Sequence, residues 1–200
     1  ADFSARVALS RREIDSFAAA GAFSAFGLGR RDALWQAAAV ERDPSGLLAG
    51  AEPSRSRAPL RAMTPIEETR ADYATTGVTT GPHLMAHLRA RLKERGVLSA
   101  AELARARNGS TVQVAGVVIV RQRPGTAKGF FFITIEDETG IANAIVTPDL
   151  FHRHRPLLHR ASILLVEGVM QKQDGVVSIR GQRFAELHVD ASLPKSHDFH

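Results

Sequence analysis

Apolar residues recur along this chain with two different periods, and the change between them divides it. Before residue 63 the helical period dominates: Leu9, Ile14, Phe17 and Ala18 share one helical face, and Ser10 with Glu13 three residues on predicts a capped start. Gly21 ends that helix, Phe23 to Gly27 is a short connection, and Gly29, Arg30, Arg31 and Asp32 lead into a second helix through Ala33, Leu34, Trp35 and Ala39. Residues 1–40 therefore read as a helix–hairpin–helix-like region. Residues 41–62 hold breakers such as Pro44, Gly46, Gly50, Pro53 and Pro59 with little to bury, and read as a flexible linker. Helical signal returns over 63–108 as a connector. Thr64 can cap with Pro65 at the first helical position, Leu84, Met85, Leu88 and Leu92 form a stripe stopped by Gly96, and a short helix covers about 99–107.

From 109 to 190 the pattern becomes β-type. The expected runs are Thr111–Arg123, Phe130–Glu136 and Ile141–Thr147, then a helix over Pro148–His159, then Ala161–Gln173 and Val176–Val189. Turn signals at Pro124-Gly125, Thr139-Gly140 and Asp174-Gly175 separate the strands. Three strands, a helix and two strands is the order of a five-stranded OB-fold barrel. The predicted class is α+β, an N-terminal helical hairpin region followed by an OB-fold barrel, with residues 191–200 as a C-terminal tail.

Composition narrows the function classes. The chain has 200 residues, a net charge of +5, 44% hydrophobic residues and no cysteine. That length suits one or two domains. The lack of cysteine excludes disulfides, thiolate zinc sites and cysteine nucleophiles, and fits a reducing, cytoplasmic setting. No apolar run reaches the roughly 18 residues of a membrane span, so no membrane partner is expected. The first residues lack the apolar core of a signal peptide, and the missing initiator methionine suggests an excerpt of a longer chain. Arginine supplies nearly all the positive charge, and its planar fork of donors suits phosphate, although GC-rich coding would also enrich it.

Alternation along the second strand sets Phe131, Ile133 and Ile135 toward the core and turns Phe130, Phe132, Thr134 and Glu136 outward. Outward rings on an OB-fold either stack nucleobases or pack against another domain. The loop before them brings Arg121, Arg123 and Lys128 close to those rings, and cations beside aromatic plates make up a single-strand groove. Arg180 and Arg183 extend the strip if a bulge at Gly181 permits. Arg30 and Arg31, at a predicted helix start, either hold a phosphate or pair with Asp32 and Glu41.

Catalytic and metal readings find little support. No Asp-x-Asp pair occurs for two-metal chemistry. Asp137, in the acidic run Glu136 to Glu138, is expected to bond turn amides. His152 and His154 diverge around a helix and cannot, with His159, complete a zinc site. Catalytic and metal residues are therefore expected to be none.

The run from Val114 to Gly129 (VAGVVIVRQRPGTAKG) and residues 132–143 (FITIEDETGIAN) resemble the C-terminal OB domain of bacterial C-family DNA polymerases, and in particular the error-prone translesion paralogue of the polymerase III alpha subunit. Residues 17–35 (FAAAGAFSAFGLGRRDALW) resemble that family's helix–hairpin–helix region, 67–77 (EETRADYATTG) its connector and 196–200 (SHDFH) its C-terminus. One departure is the order Gly81-Pro82-His83-Leu84, where the family has His-Pro. The resemblance implies a template-directed nucleotidyltransferase using magnesium on palm aspartates that lie upstream, so no cofactor is expected in this segment and none of those aspartates is carried over. It implies single-stranded and primer-template DNA as partners, contacted by the hairpin and by the OB face. With no Gln-x-x-Leu-Phe clamp motif, accessory mutagenesis proteins are expected to link the enzyme to the sliding clamp. Two other readings use the same barrel: a stand-alone, non-enzymatic single-strand-binding or protein-docking module, and an appended domain of a tRNA-handling enzyme.

Overall fold

A computed structural model describes residues 6–7, 9–38, 60–173, 175–189 and the strand 197–199. Most of the expected linker 41–62 and of the tail 191–200 lies outside the described residues. The chain divides into two compact units, 1–80 and 81–200.

The first unit is helical. α1 spans Arg11–Ala20 and begins in the expected capping box, with the Ser10 N–H donating to Glu13 at 2.6 Å and the Glu13 N–H donating to the Ser10 hydroxyl at 3.3 Å. It ends at Gly21, whose φ of 80° is left-handed and suits glycine. A short 3-10 turn, Ala22–Phe26, leads to α2, Arg30–Ala38. α3 spans Pro65–Thr76 with Thr64 and Glu67 in a second capping box. The Thr64 N–H, with its hydroxyl and Arg31, holds the Glu67 carboxyl below its ordinary pKa. The described core of this unit is small: Ile14, Ala18, Ala33, Ala37 and Thr69 are buried, while Phe17 and Trp35 are each 44% exposed.

The second unit opens with a 3-10 turn, Leu84–His87, continues through α4 (Arg89–Glu94) and α5 (Ala100–Leu103), and then forms a barrel. α5 is capped by Ser99 and is shorter than the run predicted from sequence. The barrel strands are β1 (Thr111–Gln122), β2 (Phe131–Asp137), β3 (Gly140–Val146), β4 (Ile163–Gln173) and β5 (Val176–Glu186), with α6 (Pro148–Arg160) between β3 and β4. Pairing runs β1–β2–β3–β5–β4 and back to β1, which closes the five-stranded OB-fold that strand order predicted. β1 pairs with both β2 and β4, and it approaches β2 closely at Gly116, where any Cβ would lie 2.6 Å from the Glu136 carbonyl oxygen. Gly168 makes a second close crossing, 2.2 Å from the Arg180 carbonyl oxygen by the same measure. Phe131, Ile133, Ile135, Phe151, Leu158 and Met170 fill the interior. β6 (His197–Phe199) adds a parallel strand to β1 opposite Val120–Gln122, where a plain tail was expected.

Candidate nucleic-acid interface

Two bulges decide which way the candidate residues point. On β1 the register passes from Val118 opposite Ile135 to Val120 opposite Thr134, so Ile119 is the extra residue. That insertion reverses the alternation for the rest of the strand. Gln122 now stands opposite Phe132 on the outside, and Arg121 opposite the buried Ile133. On β5, Glu167 faces Arg183 whereas Gly168 faces Gly181, so Gln182 bulges beside the glycine that had suggested an irregularity.

These registers assemble one transverse row on the outer surface. Gln122, Phe132, Ile145 and Arg180 lie opposite one another in turn on β1, β2, β3 and β5. Phe132 and Ile145 are partly buried, and Gln122 and Arg180 are exposed. The next row holds Val120, Thr134 and Asn143, with the Thr134 hydroxyl 2.9 Å from Asn143 Oδ1. Alternation along Ile141 to Val146 was sufficient to place Asn143 and Ile145 outward, although they were not singled out from sequence. Phe130 sits one residue before β2, partly buried, its N–H closing the loop onto the Ala127 carbonyl at 3.0 Å.

The loop between β1 and β2 borders this row, leaving β1 at Gln122 and entering β2 just before Phe132. It contains a 3-10 turn, Gly125–Ala127, and then Lys128, whose φ of 49° is left-handed. Lys128 is exposed, and among the described residues it has no ion pair. Arg123 lies with its guanidinium carbon 4.6 Å from the Phe151 ring centroid, a cation–π contact that ties the loop to α6. Positive charge thus gathers at the loop end of the face, while Glu136 lies at the far end of β2.

Four predicted contacts are placed differently. Arg121 is 5% exposed, and its Nε donates to the Leu158 carbonyl at 2.7 Å and its Nη2 to the Ala161 carbonyl at 2.5 Å. It is a buried cap on the C-terminal end of α6, where a cation meets the negative pole of the helix, and it is not offered to a phosphate. Arg30 does the same for α1: it donates to the carbonyls of Ala19 at 3.0 Å and Ala20 at 3.3 Å, and pairs with Asp72. Arg31 donates to the Arg61 carbonyl at 2.8 Å and pairs with Glu67 at 3.3 Å. Among the described residues Asp72 and Glu67 bind these two; Glu41, considered from sequence, lies outside the described residues. Arg183 is exposed but pairs with Glu167 at 3.1 Å, and Glu167 also accepts from Gln113 at 2.8 Å, so Arg183 belongs to the β1–β4 side and not to the Phe132 row.

The acidic run does not fit a magnesium pair. Asp137 is buried and accepts from the N–H groups of Thr139 at 2.7 Å and Ala100 at 2.8 Å, and from Arg89 at 2.9 Å. Glu138 also pairs with Arg89. The carboxylates are occupied by protein donors, and the guanidinium among them would repel a cation. His154 and His159 pack their rings against Phe184, Phe131 and Phe151.

A family model described as an OB-fold nucleic acid binding domain matches residues 107–187. Along 98% of its length the chain is 42% identical to an error-prone DNA polymerase of Anaeromyxobacter dehalogenans. It is 44% identical over its whole length to an error-prone DNA polymerase of Azoarcus, and 38% identical over 99% of its length to one of Mycobacterium bovis. The chain spans 17–19% of the length of these relatives.

Proposed function

We infer, from the premise that this chain is a relative of the C-terminal part of error-prone DNA polymerases and carries an OB-fold barrel, that it holds single-stranded template DNA for such an enzyme during damage-induced translesion synthesis. The observation that carries the reading is the row Gln122–Phe132–Ile145–Arg180 beside the loop bearing Lys128. An aromatic plate on the sheet accepts any base by stacking, and the flanking cations hold the phosphates without reading sequence. The chain's own residues supply binding and orientation. Nucleotidyl transfer would belong to magnesium-binding aspartates elsewhere in the enzyme, and accessory mutagenesis proteins would connect it to the sliding clamp.

The test is fluorescence anisotropy of the 200-residue chain with labelled oligodeoxythymidylate. Affinity is expected to fall steadily with salt, as released counterions no longer drive association. Changing Phe130 and Phe132 together to alanine is expected to weaken binding severalfold or more, since each stack contributes about 1–3 kcal/mol. Unchanged affinity in a folded double variant would move the groove elsewhere.

A further inference from the structure

Beyond the sheet face, α6 carries exposed positive charge that its own acids do not balance. Its thirteen residues, PDLFHRHRPLLHR, include Arg153, Arg155 and Arg160 with a single acid, Asp149, in the first turn. All three arginines are exposed, and among the described residues none is in an ion pair. Arg160 Nε bonds only the Pro156 carbonyl, at 3.2 Å. The three spread over about 10 Å of helix at 1.5 Å per residue. By contrast, Arg121, Arg30 and Arg89 are all consumed by carbonyls or carboxylates of their own units.

The helix is also joined to the proposed groove. Its Phe151 lies under the Arg123 guanidinium, and a Cβ on Gly129 would meet the Pro148 ring at 3.5 Å, so the β1–β2 loop and the start of α6 touch. The cations Lys128 and Arg123 therefore lead from the end of the sheet row onto the helix.

We propose that Arg153, Arg155 and Arg160 form a second phosphodiester-binding site, taking the backbone of a single DNA strand as it leaves the sheet face past the β1–β2 loop. The proposal rests on the reading of the sheet face for the direction of the strand. The site lacks an exposed phenylalanine, tyrosine or tryptophan, so it holds the strand chiefly by charge and is largely indifferent to base.

Anisotropy on the 200-residue chain and its R153Q/R155Q/R160Q variant tests this, with circular dichroism confirming the fold. The probes are single strands of about 8 and about 24 nucleotides, within and beyond the span of one OB-fold, and a blunt duplex of the longer length. The short strand should bind both proteins equally. The long strand should bind the variant about tenfold more weakly. Its log–log salt slope should fall by about 2, at roughly 0.7 for each phosphate the variant leaves unneutralised. Unchanged long-strand binding overturns the site, as does equal weakening of both strands, which marks a general charge effect. A loss confined to the duplex overturns the single-strand assignment. The F132A variant on the short strand reports separately on the sheet face: its failure to weaken that complex would overturn the groove while leaving the length-dependent loss on α6 to be judged by itself.

Discussion

The helical unit and the barrel unit are stabilised by opposite means. In the helical unit the described core is three alanines, an isoleucine and a threonine, and the larger side chains Phe17, Leu34 and Trp35 are partly in water. What closes it is polar: Arg30 bridges the end of α1 to Asp72 on α3, and Arg31 joins α2 to Glu67. The barrel buries aromatic and branched aliphatic side chains in quantity and uses its buried polar groups, Arg121 and Asp137, to finish helix ends and turns. Small residues let helices approach closely but remove little apolar area from water, at roughly 25 cal/mol per Å², so directional bonds carry more of the first unit than of the second. The same residue type, arginine, thus has a structural role in both, and only those outside such bonds remain for a ligand.

The largest expected effect strikes the barrel. Arg121→Met keeps the bulk and removes the donors, leaving the Leu158 and Ala161 carbonyls buried without them. A loss of about 2–6 kcal/mol is expected in urea unfolding followed by hydrogen exchange of the strands, at about 1–3 kcal/mol per unsatisfied group. DNA affinity per folded molecule should not change; a selective loss of affinity with intact stability would return Arg121 to the interface.

Next comes the helical unit. Asp72→Asn removes the charge facing Arg30, and a loss of about 1.5–3 kcal/mol is expected for a charge-assisted bond in this largely buried setting. Trp35, the chain's single tryptophan, reports on this unit by fluorescence. A loss seen equally in the strand amides would show that the two units do not unfold independently.

A smaller effect concerns pH. His83 is half-buried, and its Nδ1 accepts the Met85 N–H at 3.2 Å, which requires the neutral ring. Burial pushes its pKa below 6.5, against the opposing pull of Glu136, Glu138 and Asp137. The unfolded chain therefore takes the proton first. The contribution is complete above pH 6.5 and is lost as pH falls from there through the lower folded value. Urea midpoints of the barrel unit should drop across that window, and His83→Gln, which keeps an acceptor and does not titrate, should flatten the drop. An equal drop in the variant would assign it to other groups.

The smallest effect separates two neighbours on β5. Arg183→Ala should change stability by no more than about 0.5 kcal/mol, as exposed pairs do, and leave binding untouched. Arg180→Ala should weaken oligonucleotide binding and flatten its salt dependence. Reversed outcomes would place the strand on the β1–β4 side.

Much of the fold was legible because local rules and tertiary packing agree. The caps at Ser10 and Thr64 are local hydrogen bonds between residues three apart, and the five barrel strands follow from alternation punctuated by turn residues. Phe132 could be placed on the outer surface for the same reason, whereas the possible bulge at Gly181 left the direction of Arg180 open. Arg121 could not, because a single inserted residue at Ile119 inverts every side chain after it and no residue type at that position announces the insertion. Nor could Arg30: its partner Asp72 is 42 residues away in the chain, and only folding brings them together.

By itself the sequence determined the type and order of the main helices and strands, and hence the closed barrel and the likeness to error-prone DNA polymerases, though not every boundary and not β6. These are properties of neighbouring residues and of their periodicity. Tertiary structure alone decided which cations are spent and which remain free. That outcome depends on strand register and on carbonyls and carboxylates brought from distant parts of the chain, and a guanidinium takes the nearest well-placed acceptor that folding delivers.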